Sequence, residues 1–175
     1  PPTRTTKMCL TYPNLTGDLA AQGLEKFKRA LQNTGLLDYL DSTDSLFTVF
    51  APINRAWQGA YLKLLHPENN STLHDAMQYH IVRGYDICKI ETHICKIDRS
   101  LTTYFSGAHY SINFCDNTHL KTKLGKDLVV TRKTFLPSSS DAIYVDNAQV
   151  IRYNVVARNG VIHLIDRVLL PSGAS

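Results

Sequence analysis

The spacing of the apolar residues changes near the middle of this 175-residue chain, and this change limits the folds available to it. Before about residue 80, apolar residues recur at the three- and four-residue steps of amphipathic helices, as in Ala20, Leu24, Phe27 and Leu31. After residue 100, short apolar or alternating runs are separated by residues that favour turns, which is typical of strands. Helices followed by strands predict an α+β fold, with the strands forming a sandwich or a rolled sheet.

Capping and turn residues predict where these elements begin and end. We expect Asp18 to cap the first helix, Gly35 to end it, and Asn54 to cap a short helix through Trp57. Asn159-Gly160 predicts a type I′ hairpin, because both central residues of that turn need positive φ. Strands are predicted at 46–50, 101–105, 109–114, 128–132, 142–145, 150–156 and 161–170.

The length and composition predict a single globular domain. Apolar residues make up 43% of the chain and charged residues 19%, which argues against disorder. The polar start, with two prolines, predicts an arm or linker over residues 1–17, a domain over 18–171 and a tail over 172–175. The chain contains no apolar run long enough for a membrane span.

Three motifs give the chain a family resemblance. FTVFAPINRAW at 47–57 resembles the first signature of fasciclin-like domains, and Tyr79-His80 resembles their central Tyr-His motif. NGVIHLIDRVLLP at 159–171 is similar to the closing signature almost residue for residue. Ile53 stands where the family usually has threonine, and Trp57 where it usually has phenylalanine.

The resemblance implies a β-sheet wedge with helices packed at one side and no enzymatic activity. It also implies an extracellular adhesion or matrix-interaction module that binds an integrin-like cell-surface receptor, a matrix glycan or another copy of itself. Two alternatives stay open: a structural spacer in a larger secreted or membrane-anchored protein, and a basic-patch module for glycosaminoglycan or lipid. Fold resemblance does not decide among them.

The Tyr-His motif supplies the first candidate binding residues. In family members of the animal matrix this motif and its aliphatic neighbours are implicated in integrin binding, which points to Tyr79, His80 and Ile81. A structural role competes, because a Tyr-His pair between a helix and a strand can bury both rings and bond their polar atoms internally. The sequence favours the structural role.

A basic cluster supplies the second candidate site. It comprises Lys121, Lys123, Lys126, Arg132 and Lys133. One interpretation is a solvated hairpin with its charges outward, as for most charge runs. The other is a patch for sulphated glycans or anionic lipid. The net charge of +4 is too low for a dedicated nucleic-acid-binding domain, so no nucleic acid is expected as a partner.

Cysteines and glycosylation sequons point to an extracellular location. Four cysteines are consistent with two disulfides; of the three possible pairings we expect Cys88 with Cys95 and Cys9 with Cys115. Sequons for N-glycosylation occur at Asn14, Asn69 and Asn70.

Catalytic and metal chemistry find little support in the sequence. His163, Asp166 and the serines at 138–140 lack a nucleophile elbow, and alternation places positions 163 and 166 on opposite faces of a strand. Cys88, His93 and Cys95 match none of the usual zinc spacings. We therefore expect no catalytic residues, no metal and no cofactor.

Overall fold

The computed structural model describes residues 15–41, 46–83, 117–135, 140–157 and 159–172. Within these ranges, five α-helices come from the first half of the chain. They are α1 (Leu15–Ala21), α2 (Glu25–Asn33), α3 (Leu36–Leu40), α4 (Ala60–Lys63) and α5 (Asn70–Tyr79). Short 3₁₀ turns at Asn54–Ala56 and Pro67–Asn69 precede α4 and α5.

The first predicted helix is in fact two helices. The chain turns at Gly23, whose φ of 71° is a backbone conformation that glycine adopts without strain. Asp18 lies inside α1, so the prediction that it caps a helix is wrong. Gly35, at φ 70°, follows the end of α2, and its predicted role as a stop is confirmed.

Helix α1 begins inside the stretch that the sequence assigned to the arm. Leu15 and Leu19 are fully buried. The backbone N–H of Leu15 donates to Asn159 Oδ1 at 3.0 Å, which satisfies a donor that the helix itself cannot. Apolar burial and this long-range cap thus draw residues 15–17 into the fold.

Asn54 caps a helix other than the predicted one. Its side chain makes no cap hydrogen bond to its own 3₁₀ turn. Asn54 Oδ1 instead accepts from the backbone N–H of Lys26, in the first turn of α2, at 3.2 Å. Periodicity within one segment could not show this partner, because the two residues are 28 positions apart.

The described residues form one sheet of seven strands. They are β1 (Phe47–Pro52), β2 (Ile81–Arg83), β3 (Thr118–Lys121), β4 (Asp127–Phe135), β5 (Ser140–Val145), β6 (Ala148–Ala157) and β7 (Gly160–Ile165). Strands predicted at 46–50, 128–132, 142–145 and 150–156 are confirmed. The strand predicted at 161–170 ends five residues early, and those at 101–105 and 109–114 lie outside the described residues.

The sheet has the strand order β2-β1-β7-β6-β5-β4-β3 and rolls until its two edges meet. Only β1 and β7 pair in parallel; the other neighbours are antiparallel. At the edges, Val82 of β2 forms a bridge with Thr122 just after β3, and the N–H of Lys123 donates to Ile81 O at 2.7 Å. We call this rolled sheet the roll.

The roll is open on one side, which makes it a wedge. Strands β5 and β6 pair at only two positions, Tyr144 with Gln149 and Val145 with Ala148. Two register shifts also interrupt the pairing of β6 with β7. Helices packed on a rolled sheet confirm the predicted α+β class.

Two cores lie on opposite faces of the sheet. The inner core fills the roll and takes side chains from all seven strands: Phe50, Tyr79, Val82, Leu120, Leu128, Val130, Ile143, Val145, Ala148, Val150, Ile165 and Leu169. The helix-side core joins the helices to β1 and β7; its largest members are Phe27, Phe47, Trp57, Met77 and the leucines 15, 19, 24, 31, 40 and 73. Because β1 and β7 lie between the two cores, every residue of both strands is buried.

The predicted turn at Asn159-Gly160 is a hairpin of another kind. Gly160 pairs with Ala157 in the sheet and has a φ of 156°, so it is not a central residue of the turn, and the predicted type I′ turn centred on Asn159 and Gly160 is wrong. The glycine is required for a different reason. A Cβ on Gly160 would lie 2.0 Å from the carbonyl oxygen of Phe47 in the neighbouring strand.

Candidate interaction site

Tyr79 is the last residue of α5, and its hydroxyl reaches across the roll. The side chain is 5% exposed. The hydroxyl lies 2.7 Å from Asp146 Oδ2 and 3.1 Å from the carbonyl oxygen of Asp127. Burial, with a smaller effect of the Asp146 carboxylate, raises the pKa of Tyr79 above its usual range. The phenol therefore stays protonated and donates its hydrogen bond at all physiological pH values.

Asp146 is the acceptor that makes this contact possible. It lies in the turn between β5 and β6 with φ 52°, a conformation that aspartate tolerates better than most residues. Its Oδ1 accepts from the backbone N–H of Val129 at 2.9 Å, while Oδ2 faces Tyr79. One carboxylate thus ties α5, β4 and a turn together. Sequence reasoning missed this role, because no local pattern around Asp146 indicates its distant partners.

His80 is fully buried, and both ring nitrogens have backbone partners. The N–H of Leu169 donates to Nε2 at 3.0 Å, so the ring proton lies on Nδ1, which donates to Ala76 O at 2.7 Å. Burial lowers the pKa of His80 to about 4, against the opposing effect of the hydrogen bond to Ala76. The ring is neutral at pH 7 and tilts against Phe27 at 5.6 Å.

The Tyr-His motif is therefore a junction inside the molecule. Tyr79 faces the inner core, Ile81 belongs to the helix-side core, and His80 connects α5 to the C-terminal segment. A partner could reach these side chains only if α5 or the segment at 166–172 moved. The geometry favours the structural interpretation of the motif, and its use as an adhesion motif stays a prediction.

His163 and Asp166 also have internal roles. The His163 ring is buried and stacks on Phe50 with 5.5 Å between the ring centres. Asp166 Oδ1 accepts from the backbone N–H of Gln149 at 2.8 Å, which extends the pairing of β6 beyond the end of β7. Both residues of the closing signature thus stabilise the roll.

The structure divides the predicted basic cluster into two groups. Lys121, Lys123 and Lys126 lie on β3 and the turn that follows it, close to the closure of the roll. Lys133 is exposed toward the other end of β4, with its Nζ 4.8 Å from the ring centre of Tyr144. Arg132 follows the parity of the inner-core residues Leu128 and Val130, so it points to the opposite face from Lys133. Arg132 and Lys133 therefore do not share a surface.

Two cations of the first group are held by neighbouring groups. Lys123 Nζ lies 3.8 Å above the ring centre of Tyr39, a half-buried residue of α3. Lys126 Nζ donates to the carbonyl oxygen of Ser172 at 2.7 Å. Neither contact neutralises the charge, so these contacts position the two positive groups without removing them.

Closure of the roll adds a cation that sequence reasoning missed. Val82 bridges to Thr122 in antiparallel register, which sets Arg83 opposite Lys121. Both side chains are exposed, while their neighbours Val82 and Leu120 point into the inner core. No local sequence pattern could have linked Arg83 to Lys121, because the two residues are far apart in the sequence.

The asparagines of the predicted glycosylation sequons differ in hydrogen bonding and exposure. Asn69 Nδ2 donates to Lys63 O at 2.9 Å, whereas Asn70, which opens α5, is exposed. Asn14 and the four cysteines lie outside the described residues, as do His93, Ser138 and Ser139. Glycosylation and disulfide pairing therefore stay predictions.

Among the described residues, no group of three or more His, Cys, Asp or Glu side chains is placed to hold a metal ion. The helices in that part of the chain are all too short or too polar to cross a membrane.

Comparison with known proteins gives a consistent picture of the family. The sequence model of the fasciclin domain family matches residues 22–171 of this chain. Protein sll1483 of Synechocystis sp. (strain ATCC 27184 / PCC 6803 / Kazusa) is 31% identical over 157 residues, covering 86% of this chain and 71% of the relative. A protein named heme ligase from Plasmodium falciparum (isolate 3D7) is 25% identical over 133 residues, covering 74% of this chain and 60% of the relative.

A solved structure shares the fold. It is a FAS1 domain pair from the insect cell adhesion molecule Fasciclin I, with a TM-score of 0.64 and 19% sequence identity. The match covers 93% of this chain and 52% of that chain. This chain thus spans about half the length of the solved pair.

Proposed function

Because the chain belongs to the fasciclin domain family, we propose that it is a non-catalytic, extracellular adhesion domain. Its partner would be a cell-surface receptor, a matrix glycan or a second copy of the chain. Fasciclin domains are adhesion-related modules, and the solved relative with the same fold comes from a cell adhesion molecule. The proposal extends this family property to this chain and leaves three classes of partner to be distinguished by experiment.

The observation that carries the proposal is the contrast between buried and exposed polar groups. Tyr79 and His80, the residues of the central family motif, satisfy their polar atoms inside the molecule. Arg83, Lys121 and Lys126 are instead exposed on the outer surface near the closure of the roll. Exposed cations are suited to binding a partner, whereas acid–base catalysis would need a positioned proton donor and acceptor at a reacting group.

The name of one relative raises a role in heme chemistry, and the two buried histidines do not favour it here. The axial ligand of a heme must offer a ring nitrogen that carries no other bond. Both nitrogens of His80 have backbone partners, and the His163 ring is fully buried against Phe50. We therefore keep adhesion as the proposed function.

Cell adhesion to surfaces coated with the domain tests this proposal. Attachment should rise with coating density and exceed that on albumin-coated surfaces. Attachment blocked by soluble heparin would identify a glycan partner, and attachment that heparin leaves intact would identify a protein receptor. No attachment at any coating density would contradict the proposal and favour a spacer domain in a larger protein.

A further inference from the structure

We infer that the outer face at the closure of the roll is a binding site for a sulphated polysaccharide, with Arg83 and Lys121 at its centre. The inference rests on the proposed extracellular function, and it adds a residue, a location and a ligand class. Its core is the juxtaposition of two exposed cations on strands that are distant in sequence. We call Arg83, Lys121 and Lys123 the closure cations.

Strand geometry defines the site. The Val82–Thr122 bridge and the Lys123–Ile81 hydrogen bond fix the antiparallel register, so Arg83 and Lys121 are direct cross-strand neighbours. Side chains in such pairs have their Cβ atoms roughly 5 Å apart. At this separation, one anionic group on the outer face can contact both side chains.

One further cation lies beside this pair in a fixed position. Lys123 follows Lys121 by two residues, and its Nζ lies 3.8 Å above the ring centre of Tyr39. Binding a polyanion to charges that are already positioned costs less side-chain entropy than ordering free lysines. The site is thus partly organised before any ligand arrives.

Two acidic residues in the described part of the chain, Asp127 and Asp146, have partners of their own near this surface. Asp127 pairs with Lys121 from the β4 side and lies 3.8 Å from His119 Nδ1. Asp146 directs both of its oxygens toward Val129 and Tyr79. The positive charges of Arg83, Lys121 and Lys123 attract anions to this face.

The arrangement suits a linear polymer of sulphates better than a lipid surface. Arg83 and Lys121 lie on adjacent strands, which are about 4.8 Å apart, and Lys123 follows on the same strand as Lys121, so successive anions of one polymer can contact them. A lipid surface would also need an apolar projection to insert. Beside these cations the structure places the half-buried ring of Tyr39, which Lys123 already covers.

Heparin binding as a function of salt tests the inference on the folded domain. Arg83→Gln should weaken heparin binding at 0.15 M salt by about three- to tenfold, as expected for loss of one charged contact. The slope of log K against log salt concentration should fall by about one. Lys133→Gln is the matched control, because it removes one exposed cation from the far end of β4. It should change neither quantity.

Further variants and probes separate a specific site from general attraction. Arg83→Lys should restore most of the affinity, and Lys121→Gln should repeat the loss, with unfolding temperatures confirming that each variant is folded. Equal losses for Arg83→Gln and Lys133→Gln would overturn the site, since they would show attraction to net charge alone.

Undiminished binding to desulphated heparin would overturn the ligand class. Retention by phosphatidylserine vesicles without retention by heparin would do the same. Cell attachment that persists when heparin binding fails would leave the adhesion proposal standing and reject this site alone.

Discussion

The helix-side core and the inner core are fixed in different ways. The helix-side core gathers buried apolar residues from the helices and from β1 and β7. Two buried polar atoms around it, Asp18 Oδ2 and Trp57 Nε1, have no hydrogen-bond partner among the described residues. Burial raises the pKa of Asp18. Around the inner core, the buried or half-buried side chains of Tyr79, His80 and Asp166 each bond to a distant element.

The two cores differ in their use of hydrogen bonds because the two parts of the fold need different degrees of geometric precision. Helices on a sheet are held by apolar contact, which is non-directional and tolerates small shifts. A rolled sheet must close in one register, because a shift of one residue would turn every side chain to the other face. Directional hydrogen bonds between elements far apart in sequence can fix that register. Two asparagines are exceptions on the helix side. Asn159 bonds Leu15 N and Leu40 O, and Asn54 accepts from Lys26 N.

The largest expected effect on stability comes from a substitution in the β1–β7 strand pair, which contributes to both cores. Gly160→Ala would place a Cβ 2.0 Å from the carbonyl oxygen of Phe47, and neither backbone can move without opening the β1–β7 pair. We expect a loss of more than about 4 kcal/mol in the free energy of unfolding, measured by urea titration or, if the variant does not fold, by loss of the native circular dichroism spectrum.

Gly125→Ala is the control for this prediction. Gly125 also has positive φ, at 91°, but a methyl group there would meet no heavy atom of the described residues within 4 Å. Only backbone strain of roughly 1–2 kcal/mol is therefore expected. If Gly160→Ala cost no more than Gly125→Ala, the close approach of β1 and β7 would not be a constraint on the fold.

Acid should destabilise the roll through His80. The pKa of His80 in the folded state, about 4, is below the value of 6.5 expected when the chain is unfolded. The unfolded state therefore binds more protons between these values, so stability is complete above pH 6.5 and falls as the pH drops toward 4. The loss attributable to this one group is about 3 kcal/mol, at ~1.4 kcal/mol for each tenfold difference in proton affinity.

Thermal unfolding at pH 7 and pH 4 measures this effect. His80→Gln, which cannot titrate, should be less stable at pH 7 but should lose less stability on acidification than the unaltered chain. His66→Gln removes an exposed histidine and should leave the pH dependence as it was. The same acid-induced loss in His80→Gln as in the unaltered chain would show that other groups cause it.

The smallest expected effect compares one tyrosine from each side. Tyr79→Phe removes the hydroxyl that bonds Asp146, and loss of a hydrogen bond to a carboxylate should cost about 1–2 kcal/mol. That loss corresponds to a fall of roughly 2–8 °C in the unfolding temperature of a domain of this size. Tyr61→Phe, on a half-buried residue packed against the helix-side core, should change stability by less than about 0.5 kcal/mol. Equal effects in calorimetry would remove the distinction between the two cores.

Local patterns predicted most of the elements but few of the partners. The helical spacing around Phe27, the stop at Gly35 and the strand beginning near Phe47 depend on neighbouring residues, and the structure agrees. Asp18 and Asn54 look like caps locally. The structure instead buries the first and pairs the second with Lys26, because tertiary contacts override weak local preferences.

For the candidate sites too, the sequence predicted the residues but not their neighbours in the fold. The sequence identified Tyr79 and His80 through their motif and Lys121 through its charge. Whether these groups face inward or outward depends on the roll, since a side chain's face is set by strand register. Arg83 joins Lys121 only because β2 and β3 meet at a single bridge.

By itself, the sequence determined the class of fold, the family resemblance and the types of residue available for binding, because periodicity and motifs are encoded over short stretches of chain. Only the tertiary structure decided that the Tyr-His motif is buried, that Asn159 and Asp146 join distant elements, and that Arg83 belongs with the lysines after β3. The physical reason is that hydrogen-bond partners and surface neighbours across a rolled sheet are chosen by closure of the sheet, which no local pattern records.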